Sequence, residues 1–304
     1  SDLLAAKYDG QGRQLLELEH DGHGRLVRRE LFSGDTHTFA YDEQGWVTEA
    51  STHEHSVAFA YDAWRRRTKD ERDGKGVRHR FVGGQLASTT TLGRFRTEYH
   101  TLDDGTIVVV DPSGATHRIR RHGRGVFTRD LANGWSETAQ YSPRGWCLSK
   151  VAYASDAPDR AWARKYLYSG EGDLERVIDT DQGVTQHHHD EAHRLVGTTH
   201  PNGAQDTYRY TKSGSLTQKP GLNEGTVGHI NQLRWADGHR FEYGVRQHVS
   251  VHTTPDGTRL QYKYDARDQL VAVLWNGHQW WSAKYDAIGR RIEKRVSGQV
   301  HTYH

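Results

Sequence analysis

The sequence predicts an all-β protein of tandem β-hairpin units in an extended antiparallel sheet. Three observations carry this. A unit led by Tyr-Asp recurs about every 21 residues. Thirty-two glycines are spread over the whole 304-residue chain. No long stretch carries the 3.6-residue apolar period of an amphipathic helix.

Internal repeats outrank local propensity in deciding a fold. Tyr8-Asp9-Gly10-Gln11-Gly12-Arg13 opens the series, and His20-Asp21-Gly22-His23-Gly24-Arg25 follows. Tyr41-Asp42-Glu43-Gln44-Gly45-Trp46 and Tyr61-Asp62-Ala63-Trp64-Arg65-Arg66 come next. Looser copies start at Tyr141-Ser142, Tyr168-Ser169, His189-Asp190 and Tyr210-Thr211. The most regular are Tyr264-Asp265-Ala266-Arg267-Asp268-Gln269 and Tyr285-Asp286-Ala287-Ile288-Gly289-Arg290. The lead positions 168, 189 and 210 are 21 apart, as are 264 and 285. The chain therefore reads as a single array over residues 1–304, with clear repeats at 1–66 and 164–296 and degenerate ones at 67–163.

Each unit has a local physical reading. Val57, Phe59 and Tyr61 alternate toward one side, as do Leu260, Tyr262 and Tyr264, and period two means strand. Aspartate then caps a tight turn with its side chain, as in an Asx-turn. Glycine three residues later takes positive φ and closes a three-residue loop through a G1 bulge. A second turn, often Asp-Gly or Asn-Gly, ends the unit: Asn133-Gly134, Asn202-Gly203, Asp237-Gly238, Asp256-Gly257, Asn276-Gly277. The residues that build the array are thus Tyr8, Asp9, Tyr41, Asp42, Gly45, Tyr61, Asp62, Tyr264, Asp265, Tyr285, Asp286 and Gly289. Residues 154–165 hold Ala and Arg but are interrupted by Pro158, and read as a loop with at most one helical turn.

Composition agrees with a thin sheet. Apolar residues make up 34% and the mean hydropathy is −0.90, too little for a thick dry core. Yet nine Trp, fifteen Tyr and seven Phe, with a net charge of only +2, argue against disorder. Cross-strand aromatic pairs and dense backbone ladders must offset the ordering entropy. The small net charge excludes strong steering to nucleic acid or membrane. Cys147 is the single cysteine, so no internal disulfide forms, and one cysteine argues against a cysteine-based zinc site. No apolar run reaches the length of a membrane span. The chain contains no methionine, which predicts a processed or excised piece of something longer.

These units resemble the YD repeat of Rhs proteins, whose relatives are wall-associated proteins, the B and C components of insecticidal toxin complexes, and teneurins. The resemblance covers nearly the whole chain and is sharpest from Tyr264 to Lys294. It implies hairpins spiralling into a hollow shell, or cocoon, around a C-terminal polymorphic toxin, often delivered by type VI secretion. The implied partners are the enclosed toxin domain, the remaining shell segments of the same or a cleaved chain, and a secretion-machine adaptor. The implied location is outside the producing bacterium. The family's closing autoproteolytic region, with its Asp-Pro motif, has no counterpart here; Asp111-Pro112 is an isolated turn.

Catalytic constellations are sparse, and the expectation is a non-catalytic scaffold without a cofactor. There is no Gly-x-Ser-x-Gly elbow. Asp103-Asp104 precedes glycine and reads as a turn. Among 21 histidines, His187 and His189 share one strand face and are the candidates for a metal. The plainer reading places His189 in the tyrosine slot of a repeat. Arg65-Arg66-Arg67 and Arg118-Ile119-Arg120-Arg121 read as solvated strand positions rather than a specific nucleic-acid site. The alternative function is a cell-surface or fibre-like binding module, holding a glycan or protein on Trp275, Trp280 and Trp281 or on Trp235, Phe241 and Tyr243.

Overall fold

A computed structural model describes residues 3–303, and it is almost wholly β-structure. Twenty strands, from Ala6–Tyr8 to Gln205–Thr207, form one antiparallel sheet. Nine more, from Gly225–Val227 to Gln299–Thr302, form another, and Arg209–Tyr210 pairs with Leu216–Gln218 in the sequence between. Among the described residues the only helical segment is a 3-10 turn at His229–Asn231.

The chain meanders, strand pairing with next strand. Thr36–Tyr41 pairs with Val47–Ser51, which pairs with Ser56–Tyr61, which pairs with Arg67–Arg72. The register slips by one residue at the lead tyrosine of each unit, between Ala40 and Tyr41, Ala60 and Tyr61, Lys263 and Tyr264, and Lys284 and Tyr285. That slip is the bulge the turn chemistry predicts. Asp42 N–H donates to the Trp46 carbonyl at 2.9 Å, Gly45 N–H donates to the Asp42 carbonyl at 3.0 Å, and Gly45 sits at φ +86°. A β-carbon resists that conformation, whereas glycine adopts it freely.

The second turns are of two kinds. At Asp237-Gly238 and Asn276-Gly277 both residues have positive φ, the two-residue hairpin turn that suits strand twist. At Asn133-Gly134, Asn202-Gly203 and Asp256-Gly257 only the glycine does, and these repeat the bulged form of the first turn. The stretch 67–163 is also hairpin after hairpin. Residues 154–165, expected to loop, instead lie largely in the strand Ala157–Tyr168. Its first half pairs only with Cys147–Ala154, because pairing to Leu174–Asp179 begins at Arg164. Proline is tolerated where one side of a strand has no ladder to complete.

The chain divides into two compact units, one of residues 1–80, 89–95 and 238–304, the other of residues 81–88 and 96–237. The first has a core. Leu16, Leu31, Ala50, Val57 and Phe59 are buried from the N-terminal hairpins, and Val251, Val273, Ala283, Ala287 and Ile292 from the C-terminal ones. In the second unit only Ala139 and Ala236 among the described apolar residues are buried to that degree. The chain leaves 19525 Å² in water, where a compact chain of this mass exposes about 13000 Å². The faces are largely wet, as the low hydropathy requires.

Candidate functional site

The repeated turn is the functional element of this chain, since it fixes each hairpin internally and joins it to its neighbours. Within a unit, the aspartate carboxylate accepts two backbone N–H groups and one arginine. Asp62 accepts from Trp64 N at 2.9 Å, Arg66 N at 3.0 Å and Arg66 Nε at 2.7 Å. Asp9, Asp21 and Asp190 do the same with the residues two and four positions on. Asp42 accepts from Trp46 N and Asp286 from Arg290 N and Nε. Hydrogen bonds to the charged form favour it. Accordingly the Asp21 carboxyl is pulled down to about 2, first by the Arg25 backbone N–H and further by the Arg25 side chain.

Between units, the lead tyrosine is the lock. Its hydroxyl donates to the carbonyl five residues after the turn-opening residue of the preceding unit. Tyr41 reaches Leu26 at 2.7 Å, Tyr61 reaches Val47 at 3.1 Å, Tyr264 reaches Val249 at 3.0 Å and Tyr285 reaches Leu270 at 2.8 Å. Tyr168 and Tyr210 follow the same rule. The residue one position earlier lies against the same tyrosine ring: Arg25 over Tyr41, Trp46 beside Tyr61, Trp146 beside Tyr168, Arg194 over Tyr210, His248 stacked on Tyr264. Arginines also reach forward, Arg246 to the Asp265 carbonyl at 2.8 Å and Arg267 to the Asp286 carbonyl at 2.9 Å. Tyr8 is exposed.

In the first unit, the last hairpins are fastened onto the first. Lys7 pairs with Asp268 at 3.0 Å, Lys284 with Glu54 at 2.9 Å, and Arg290 with Asp70 at 2.7 Å. Arg29 donates to the Ala287 carbonyl at 2.7 Å. Asp286, fully buried, and Ala287 form the turn that this seam covers. Beside it Arg29 donates to Nδ1 of the buried His37 at 2.8 Å, which keeps that imidazole neutral. Burial pushes the His37 pKa down to about 4, with the charges of Arg267 and Arg29 adding to it. A cavity of about 520 Å³ lies along the seam, lined by Leu31, His37, Arg267 and Tyr285 among others.

The remaining sequence candidates fall as follows. Asp104 accepts from Thr106 N at 2.8 Å inside a turn. Arg66 and Arg67 are engaged by Asp62 and Asp70. Trp275 and Trp280 meet edge to face at 76°, so they offer no flat stacking platform. Phe241 stacks on His252. His187 contacts Thr198 Oγ1 at 3.3 Å. With His189 it lines a concavity of about 300 Å³ that also holds Glu171, Asp173 and His193. The three residues whose ligand atoms converge are Glu171, Asp173 and His193, not the two histidines of the strand. Sequence reading missed the acids because they belong to the preceding turn, 20 and 22 residues upstream of His193. Searching one repeat length away would have found them.

A family model described as the RHS Repeat matches residues 168–205. That stretch of the chain is an RHS repeat. The chain is 28% identical over 297 residues to "Toxin protein Tse5" of Pseudomonas aeruginosa, covering 85% of this chain and 22% of that protein. It is 25% identical to "Probable deoxyribonuclease RhsB" of Dickeya dadantii, covering 68% of this chain and 15% of that protein. The solved Tc holotoxin pore of Photorhabdus luminescens shares the fold, at TM-score 0.57 and 11% identity, over 97% of this chain and 20% of that one. The chain thus spans between 15% and 22% of the length of these relatives. No helix among its described residues is long and apolar enough to cross a membrane.

Proposed function

We propose that this RHS-repeat chain is a non-catalytic wall segment of a longer shell that encloses a toxin domain and delivers it out of the producing bacterium. The observation that carries the reading is the lateral lock. Six lead tyrosines spend their hydroxyl on the neighbouring unit's backbone, and in five of them the residue before that carbonyl packs on the same ring. Such chemistry extends a sheet sideways and does not depend on a thick core. A wall needs both properties; a catalytic pocket needs neither. Similarity to a toxin protein supports a toxin domain as the cargo. A secretion-machine adaptor is the partner implied for delivery.

The functional residues in this reading are those that hold the wall together: the aspartates and glycines of the turns, the lead tyrosines, and the seam residues Arg29, Glu54, Asp70 and Lys284. The test is protease protection of the natural polypeptide in which this segment sits. The cargo domain is expected to survive trypsin under native conditions and to be digested once mild denaturant opens the wall. Cargo digested at the rate of the isolated domain under native conditions would contradict enclosure.

A further inference from the structure

We propose that Glu171, Asp173 and His193 form a binding site for a divalent transition-metal ion, with zinc as the best fit, that clips two successive turns together. The three ligand atoms all lie within 4.8 Å of one another. His193 Nδ1 is 2.8 Å from Asp173 Oδ2 and 3.7 Å from Glu171 Oε2. Adjacent ligands around a metal held by bonds of about 2.0–2.2 Å are themselves about 3–3.5 Å apart. The two separations from His193 bracket that value. One imidazole with two carboxylates suits zinc and its neighbours, whereas calcium and magnesium prefer oxygen alone.

The backbone shows how the His193 side chain is directed. His193 occupies the fourth position of its turn, where Gly12, Gly24, Gly45 and Gly289 stand in other units. It adopts φ +60° there, a conformation that costs an ordinary residue energy. Asp268 fills the same position in a later unit, and its side chain also points back, to Arg246 and His248 of the preceding turn. A side chain at this position is therefore aimed at the neighbouring turn by the repeat geometry itself. Glu171 and Asp173 stand on the facing turn, held by Ser169 Oγ, which accepts from the N–H groups of Glu171, Gly172 and Asp173. The concavity around the three is lined by further donors, Glu175, His187 and His189. A bound ion replaces the proton now shared between His193 and Asp173, and its open positions are left to water or to His189.

The repeat supplies a clean test. His193→Gly restores the residue that other turns carry, so the variant is expected to fold. Zinc is titrated by calorimetry into chelator-treated protein, and the melting temperature is followed with and without the ion. Wild type is expected to bind one zinc tightly and to melt higher with it. His193→Gly and Asp173→Asn are expected to weaken binding at least tenfold and to lose the thermal shift, while keeping the β-sheet circular dichroism of wild type. A His187→Gln/His188→Gln double variant is expected to bind as wild type does. Unchanged zinc binding in His193→Gly, or binding lost only in the double variant, would assign the ion to the strand histidines and overturn the site. No binding by wild type at 100-fold excess zinc overturns it as well.

Discussion

At the scale of single residues, each lead tyrosine does two jobs: its ring packs against the preceding unit and its hydroxyl satisfies a carbonyl there. Tyr285→Phe keeps the ring and removes the bond to Leu270. A net hydrogen bond contributes about 0.5–1.5 kcal/mol, and that is the expected loss in a urea titration. Asp286 carries more, because it is fully buried and holds both the Arg290 backbone and its guanidinium. Asp286→Ala leaves those donors without their acceptor and is expected to cost about 2–3 kcal/mol by the same measurement. His37 gives the seam a pH dependence. Its unfolded imidazole takes up a proton near pH 6.5, while burial holds the folded one neutral to about pH 4. Stability is therefore complete above pH 6.5 and falls as pH drops from 6.5 toward 4, by on the order of 2–3 kcal/mol. The urea midpoint of wild type is expected to fall between pH 7.5 and 5, and that of His37→Gln to fall less. The turn carboxylates act lower down. Asp21, at about 2, contributes stability above pH 3.8 that is lost as pH falls toward 2.

At the scale of the hairpin, the turn type decides which substitutions are tolerated. Gly45 and Arg65 occupy the same turn position, at φ +86° and +65°. Gly45→Val is expected to destabilise by roughly 1–2 kcal/mol, and Arg65→Gly to stabilise by up to about 1 kcal/mol. Equal signs in the two denaturation curves would sink the turn assignment. This element was legible in the sequence because its determinants are local. Asp42 and Gly45 sit three residues apart, and their chemistry allows few conformations. The strand at Ala157–Tyr168 was not legible, because Pro158 breaks a helix or a central strand by propensity, and only the pairing shows that its neighbourhood has one ladder. The tyrosine lock was hidden for a related reason. The partners of Tyr285 and Tyr264 are backbone carbonyls 15 residues away, and a carbonyl leaves no trace in residue identity. Likewise Asp173 is a turn residue by sequence, and only the stacking of turns brings it to His193.

At the scale of the whole chain, composition set the outcome more than any motif. With 34% apolar residues the chain buries few side chains fully, and those concentrate where N- and C-terminal hairpins of the first unit meet. That seam rests on both apolar contact and ion pairs. Lys284–Glu54 is exposed and contributes little. Arg290–Asp70 is tied to a buried aspartate and is the pair whose loss should loosen the seam.

Whether the repeats make an extended wall is tested most directly by small-angle X-ray scattering with a mass measurement. A compact globular chain of this length has a radius of gyration of about 19 Å. The account predicts a monomeric radius well above that value, with a distance distribution whose maximum is shifted to long distances, as a curved or half-open shell gives. A monomer at about 19 Å with a symmetric distribution, or a straight rod, would contradict it.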